Sequence, residues 1–584
     1  MLIENIKSPA DIKALSLEHL PLLADEARKV LIERLSVRGG HVGPNLGIVE
    51  ATVALHRVFD CPTDKFIFDV SHQCYCHKML TGRIDAYLYP EHYAEVTGFT
   101  NPAESPYDNF VVGHTSTSVS LALGMAKGRD VCGGTENVVA IIGDGSLSGG
   151  EAMEGLSNAG EYDGNLIIVV NDNQMSIAEN HGGIYKNLQL LRDTNGTAEL
   201  NWFKAQGLDY IYVAEGNNVL ALTEAFQKVK GTKKPVVVHI NTLKGKGLAF
   251  AEEHKEAWHY GQPFNIADGS PKYKGGSKEN WAEINGQYLM AKAAQKPELV
   301  VLAAGTPASL GMNSERRTKL GRQFVDTGIA EEHTVALASG IAARGGSPVF
   351  GTFSTFFQRV YDQMSQDVCV NHSPATFIVM GPSVYCMNDV THICIFDIPL
   401  LSNIPGLVYL APTCKEEYLA MFDWAVEQRE HSVAIRVPGT SVQYRPGVAF
   451  PTDYGTLNIS EVAHRGSKVA LIGVGNFFDR AQQVAEMLKA DGIDATVINP
   501  RYLTGLDTAL LYSLKADHQI VVTLEDGSID GGFGEKIARY YGDTDMKVLV
   551  RGIKKDLYDN YVAEELITAN RLQPEQIVAD VLNH

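Results

Sequence analysis

The sequence predicts an α/β protein of three domains, each a mostly parallel sheet flanked by helices. Three observations predict it. Continuous apolar runs such as residues 138–142 and 166–170 end in Gly/Asn/Asp turns, as strands buried on both faces do. Stretches of helical periodicity separate successive runs. The chain has 584 residues, too many for one core. Composition shifts place the domains at 1–275, 276–455 and 456–584, with a polar, Gly/Lys-rich linker, IADGSPKYKGGSKEN, before the second.

In chain order, DIKALSLEHLPLLADEARKVLIERLS carries leucines at helical spacing and stops at Arg38-Gly39-Gly40. A loop, GGHVGPNLG, follows with His41 in it, and then a helix near residues 48–59. KFIFDVSHQ is a strand with His72 at its carboxyl end, and FVVGHTST repeats that arrangement with His114. Residues 138–177 supply two more strands around one crossover helix, and PVVVHINTLKGKG a further one. The second block offers LVVLAAGTP, SPVFGTF and ATFIVMGPSV as strands. Its helix within QFVDTGIAEEHTVALASGIAARGG presents Ala330, Thr334, Leu337 and Ile341 on one face, with Glu331 in the first turn. The third block alternates strand and helix again, over a length suited to a five-stranded sheet. Its IGVGNF lacks the full G-x-G-x-x-G spacing and reads as a strand-to-helix turn.

With 69 acidic and 50 basic side chains the net charge is −19, which argues against nucleic acid or an anionic membrane as the main partner. MLIENIKSPA has neither the basic start nor the apolar run of a signal peptide, and no run approaches a membrane span. A cytoplasmic location is the expectation. Eight cysteines are too sparse for a disulfide scaffold and read as reduced thiols.

Asp144 and Asn173 stand 173 − 144 = 29 residues apart, each in a turn just past an apolar run. Adjacent parallel strands would set both at the ligand edge of the sheet. A carboxylate, an amide oxygen and the Met175 carbonyl suit Mg²⁺, with phosphate and water completing the octahedron. The helix start beyond Gly145 suits a diphosphate. Taken singly, Asp-Gly and Asn-Asp are ordinary turn formers. His41, His72 and His114 are too scattered for a zinc site and suit proton transfer, or else are solvated loop residues. Glu331 is either a helix N-terminal acid or a buried one with a raised pKa.

Together GGHVGPNLG, DVSHQCYCHKMLTGR, VGHTSTSVS, IGDGSLSGG, VVNDNQMSIAEN, IAEEHTVA, FSTFFQRVYDQ and THICIFD resemble the thiamine diphosphate enzymes of the transketolase group. Within that group they are most similar to the 1-deoxy-D-xylulose-5-phosphate synthase family. The resemblance implies a transketolase-like fold with a C-terminal domain and a homodimer. Residues 1–275 would bind diphosphate and Mg²⁺, and residues 276–455 the pyrimidine. It implies that Asp144, Asn173 and Met175 hold Mg²⁺, with His72, Gly113, His114, Thr115, Gly145 and Ser146 around the diphosphate. Glu331 would hydrogen-bond the aminopyrimidine, favouring its imino form, and Phe356 would stack on it. His41 and His392 would move protons around pyruvate and glyceraldehyde 3-phosphate, with Arg359 and Arg436 for the acceptor phosphate.

Several residues depart from the family pattern. Gly381 replaces an expected phosphate-binding arginine, and Asn388 stands at an aspartate position. Phe353 and Leu248 stand where tyrosines are expected, and Pro44-Asn45 replace small residues. These leave two alternatives beside synthase activity: a related transketolase or acyloin-forming enzyme with another aldehyde acceptor, and an inactive regulatory paralogue.

Overall fold

A computed structural model describes residues 1–273 and 279–584. The expected 275/276 boundary lies outside the described residues. The chain forms two compact units, one of Met1–Gly276 with Gly328–Ala330, the other of Ser277–Thr327 with Glu331–His584.

The first unit holds five strands, β1 (Lys65–Phe68), β2 (Val138–Gly143), β3 (Ile167–Asp172), β4 (Asp209–Val213) and β5 (Val236–Asn241). They pair in the order β1-β2-β3-β5-β4, all parallel. The apolar runs reflect burial on both faces. Val139 and Ile141 of β2, with Ile167 and Val169 of β3, enter one core. Val138, Ala140, Ile142, Ile168 and Val170 enter the core on the opposite face, as the two-residue repeat of a strand requires. Parallel pairing brings the carboxyl ends of β1, β2, β3 and β5 to one edge.

The second unit holds a six-stranded parallel sheet of β6 (Leu299–Ala303), β7 (Phe324–Asp326), β8 (Ser347–Phe353), β9 (Thr376–Met380), β10 (Leu407–Leu410) and β11 (Ser432–Val437), ordered β10-β11-β9-β8-β6-β7. A five-stranded sheet follows, β12 (Glu461–His464), β13 (Lys468–Gly473), β14 (Thr496–Asn499), β15 (His518–Ser528) and β16 (Lys547–Ile553), ordered β12-β14-β13-β15-β16. Only β12 runs antiparallel, against β14, among the described strands. One core joins the two sheets: Phe350 and Phe377 share it with Ile472, Val521 and Phe533.

Local expectations change in four places. Residues 110–117 form no strand; the segment is held by hydrogen bonds such as Ser71 Oγ to the Val112 carbonyl at 2.7 Å. The GGHVGPNLG loop closes into a short helix, Val42–Gly47, because only Gly39 and Gly40, at φ of 76° and 128°, need glycine's freedom. Strand β4 is additional. Helix Glu331–Ala343 buries Glu331, Thr334, Val335, Ala338 and Ala342, so its inner face is turned from the expected one and carries Glu331 inward. All eight cysteines are free thiols, and among the described residues no helix is long and apolar enough to cross a membrane.

A buried polar chain braces the first unit. Arg83 binds Asp108 bidentately at 2.7 and 2.8 Å, and His77 Nε2–H donates to Asp108 at 3.0 Å. His77 Nδ1 must then accept from His56 Nε2–H at 2.9 Å, which leaves His56 Nδ1 without a hydrogen-bond partner among the described residues. Burial holds His56 well below its ordinary value, and burial also lowers His77 against the pull of Asp108. As pH falls through 6.5 the unfolded chain takes up protons that the folded chain refuses, so stability falls, at a limiting slope of about 1.4 kcal/mol per pH unit for one whole proton. His56→Gln keeps a donor toward His77 and cannot titrate. Thermal melting between pH 7.5 and 5.5 should show a shallower loss of stability in that variant than in the parent, and equal slopes would refute the assignment.

Candidate active site

Asp144 and Asn173 follow β2 and β3 directly, and the register pairs Gly143 with Asn171. Both side chains are buried. Asn180 Nδ2 donates to Asp144 Oδ2 at 2.6 Å. Burial, reinforced by neighbouring Asp172, pushes the Asp144 carboxyl up to about 8. Among the described residues Asn173 Oδ1 has no hydrogen-bond partner, nor has Asn180 Oδ1 or Ser176 Oγ. Unmet buried oxygens beside a buried carboxyl are costly unless something positive or proton-bearing joins them. The donors are all oxygen, which suits a hard divalent cation. Among the described residues no trio of His, Cys, Asp and Glu offers a softer metal site. Gly145 lets the next turn approach: a Cβ there would stand 2.9 Å from Ser176 Cα. Ser146 is buried and its carbonyl accepts from Ser116 Oγ at 2.8 Å, while Met175 sits in a bridge with Glu179 beyond Gln174 at φ 66°.

Backbone strain collects at the neighbouring turns. Val70, Ser71 and Ser116 hold φ of 58°, 59° and 74°, unfavourable for residues with a Cβ. Asp69 sustains the geometry by accepting from the Ser116 and Ser118 N–H groups at 2.9 and 3.0 Å. That places Gly113, His114 and Thr115 just ahead of helix Ser118–Val131.

The structure brings His41 and His72 together, ring centroids 4.9 Å apart. It adds His259, which stacks on His72 at 5.4 Å and meets His41 edge-on at 5.7 Å. His259 was missed because its segment shows no strand or helix pattern; paired N–H to carbonyl bonds between Gly40 and Gly261, 2.8 Å each way, bring it in. Burial, with Lys244, His72 and His41 around it, holds the His259 imidazole well below its ordinary value. Lys244, 2% exposed, donates to the Ser176 carbonyl at 2.5 Å and lies 3.2 Å from His259 Nδ1. Burial pushes Lys244 down to about 8, against the opposing pull of Asp144.

Asn45 holds the histidine loops. Its fully buried amide donates to the His41 carbonyl at 2.8 Å and the His72 carbonyl at 2.7 Å, and accepts from the Tyr75 N–H at 3.0 Å.

In the second unit Glu331 is 3% exposed and burial pushes its carboxyl up to about 7. Arg359 Nη1 lies 3.8 Å from its Oε2, beyond hydrogen-bonding distance. Phe356 meets the His392 ring edge-on at 5.8 Å. His392 Nδ1 lies 3.0 Å from Asp389 and 2.8 Å from Thr391 Oγ1. The carboxylate partner of this histidine is therefore Asp389, which the sequence reading passed over. Asn388 instead donates to the Tyr561 carbonyl at 3.1 Å.

Arg436 requires a correction. It is 2% exposed, with Nε 2.8 Å from Asp397 and one terminal nitrogen 2.7 Å from Asp526. Two buried carboxylates already match its charge, and moving it would strand them. It is a structural cation of the second unit, and Arg359 remains the sequence-expected candidate for an acceptor anion.

The sheets and these two sets of side chains define a transketolase-class α/β enzyme. Residues 3–201 match the family model described as 1-deoxy-D-xylulose-5-phosphate synthase. Residues 277–443 match that of the transketolase pyrimidine binding domain, and 460–577 that of the transketolase C-terminal domain. The 1-deoxy-D-xylulose-5-phosphate synthase of Clostridium tetani is 35% identical across 99% of this chain and 99% of that protein. A second such synthase, from Geobacter sulfurreducens, is 37% identical across 93% and 92%. A solved Pichia stipitis transketolase in complex with sedoheptulose-7-phosphate is 16% identical, covers 96% of both chains and gives a TM-score of 0.45. The sequence relatives carry the assignment: the chain belongs to the 1-deoxy-D-xylulose-5-phosphate synthase family of thiamine diphosphate-dependent transferases.

Asn45→Asp retains size and one acceptor but turns a carboxylate toward two carbonyls. Each lost buried hydrogen bond costs about 1–3 kcal/mol. We expect kcat to fall roughly tenfold or more with thermal stability reduced, and Asn45→Gln to rescue little. Unchanged kcat in Asn45→Asp would remove the residue from the positioning role.

Proposed function

We propose that this chain decarboxylates pyruvate and condenses the two-carbon unit with glyceraldehyde 3-phosphate, using thiamine diphosphate and Mg²⁺. The observation that carries the reading is the buried Asp144–Asn173 pair on adjoining strand ends, with its unmet Asn173 oxygen. When bound, the cofactor supplies the electron sink that decarboxylation of a 2-oxo acid needs.

Asp144, Asn173 and the Met175 carbonyl would hold the metal, with the turns at His72, Gly113–Thr115 and Gly145–Ser146 receiving the diphosphate. Glu331, pushed up to about 7 by burial, keeps its proton into the neutral range and can share it with a ring nitrogen of the aminopyrimidine. Asp389 fixes the His392 Nδ1–H, so His392 Nε2 takes or gives the proton at a substrate oxygen. His41, held through Asn45, serves the same purpose in the first unit. Arg359 supplies charge for the acceptor phosphate. This reading carries with it a homodimeric, cytoplasmic enzyme whose partners are small-molecule substrates.

The test is pyruvate-dependent CO₂ release with added cofactor and Mg²⁺, followed by product formation from a panel of phosphorylated and unphosphorylated aldehydes. Preference for an unphosphorylated aldehyde would replace the acceptor, and no CO₂ release with any acceptor would favour an inactive regulatory role. Asp144→Asn should weaken Mg²⁺-dependent binding of the cofactor roughly ten- to a hundredfold, the worth of one charge-assisted contact, read by titration calorimetry. Glu331→Ala should abolish turnover with cofactor affinity largely kept, and full activity in that variant would refute the proton role.

A further inference from the structure

Helix Ile184–Asp193, IYKNLQLLRD, follows the turn beyond β3. Its Leu188 and Leu191 are buried in the core that also takes Ile142 of β2 and Val170 of β3. Tyr185 and Arg192 stand 192 − 185 = 7 residues apart, close to two helical turns, so both leave the helix on the side of those leucines.

Tyr185 reaches the turn after β2. Its hydroxyl shares one proton between the Asp144 and Gly145 carbonyls, at 3.1 and 3.2 Å. Arg192 reaches the end of β3, where a terminal nitrogen donates to Asp172 Oδ2. The same oxygen accepts from His239 Nε2–H at 2.9 Å, and the carboxylate is fully buried. Asp172 Oδ1 accepts from the Gln174 N–H at 3.1 Å. That bond closes an Asx-turn and holds Gln174 at φ 66°, between Asn173 and Met175.

Asp144 and Asn173 each lie one residue past the end of a strand, beyond the ladder that sets the register. Mg²⁺ demands near-ideal octahedral geometry with oxygens at about 2.0–2.1 Å, so the spacing of the two turns has to be held closely. One helix grips both.

We propose that helix Ile184–Asp193 is a clamp that sets the spacing of the two metal turns, with Tyr185 and Arg192 as positioning residues for the divalent cation. Each acts through another group: Tyr185 through the Asp144 backbone, Arg192 through Asp172 and the turn that carries Asn173 and Met175. Arg192 has a second effect. With His239 it occupies Asp172 Oδ2, which keeps that carboxylate on its turn and out of the ligand set.

The inference rests on the metal reading proposed above, and its test reads binding apart from turnover. Full-length protein at saturating thiamine diphosphate is titrated with Mg²⁺ in a calorimeter. Groups that orient metal ligands are typically worth about ten- to a hundredfold in metal affinity, so Tyr185→Phe and Arg192→Met should each raise the Mg²⁺ Kd about tenfold. The Mg²⁺ concentration giving half-maximal rate should rise in step, with kcat at saturating Mg²⁺ kept. Arg192→Lys returns a charge toward Asp172 and should recover most of the affinity. Lys186→Met, on the exposed side of the same helix, should match the parent. Melting curves without metal check each fold, and Tyr185→Phe carries the test alone should Arg192→Met misfold. A parent-like Kd in Tyr185→Phe, or in folded Arg192→Met, would overturn the clamp and leave the metal reading standing. An equal loss in Lys186→Met, or a lowered kcat that saturating Mg²⁺ does not restore, would also overturn it. Absence of Mg²⁺ binding in the parent would refute the metal reading itself, and the clamp with it.

Discussion

The parallel pairing of β2 with β3 is the constraint on which the candidate site depends. Gly143 stands opposite Asn171, so the chains leave the sheet with Asp144 and Asn173 side by side. A slip of one residue would exchange the two apolar faces of both strands, and both cores would reject it. The same register sets two buried acids close together, and they are treated differently. Asp172 is met by His239 at 2.9 Å and by Arg192, with Tyr210 behind the histidine at 2.9 Å. Burial would raise its pKa, but those partners hold it below the usual carboxylate value, while Asp144 is pushed up. The fold thus matches one acid internally and leaves the other needing a proton or a cation.

Around that pair, hydrogen bonds sustain a backbone that would otherwise relax. The left-handed Val70 and Ser71 precede His72, and Asp69 and Ser71 are both engaged on the 112–118 segment. Asn45 joins the His41 and His72 loops across 27 residues of sequence. Strain of this kind persists only where surrounding structure fixes it, and here the fixing groups are buried polar side chains more than packing alone.

Much of this was legible because burial on both faces of a parallel sheet writes itself as an unbroken apolar run, and turn chemistry follows at once. Asp144, Asn173, His72 and Glu331 could be found for that reason. Asn45, His259 and Asp389 could not, since a hydrogen bond to a distant carbonyl or a ring contact leaves no period in the chain. Arg436 carried a signal that was underused. In SVAIRV it lies inside a strand buried at every position, and an arginine there has to be paired; Asp397 and Asp526 pair it. The inner face of the Glu331 helix was misplaced because Leu337 and Ile341, though apolar, are only half-buried.

The unusual residues between Gly381 and Cys394 are coupled to one another. A larger residue at 381 would have to adopt φ 64° and displace Cys386 Sγ, so glycine and cysteine depend on each other. An aspartate at 388 would turn a carboxylate toward the Tyr561 carbonyl, where the Asn388 amide now donates. The carboxylate that serves His392 stands one residue later, at Asp389. Restoring a single family residue would break a contact without recreating the pattern it came from, because its partners have changed as well. The loop is an internally consistent arrangement in which His392 has Asp389 as its carboxylate partner.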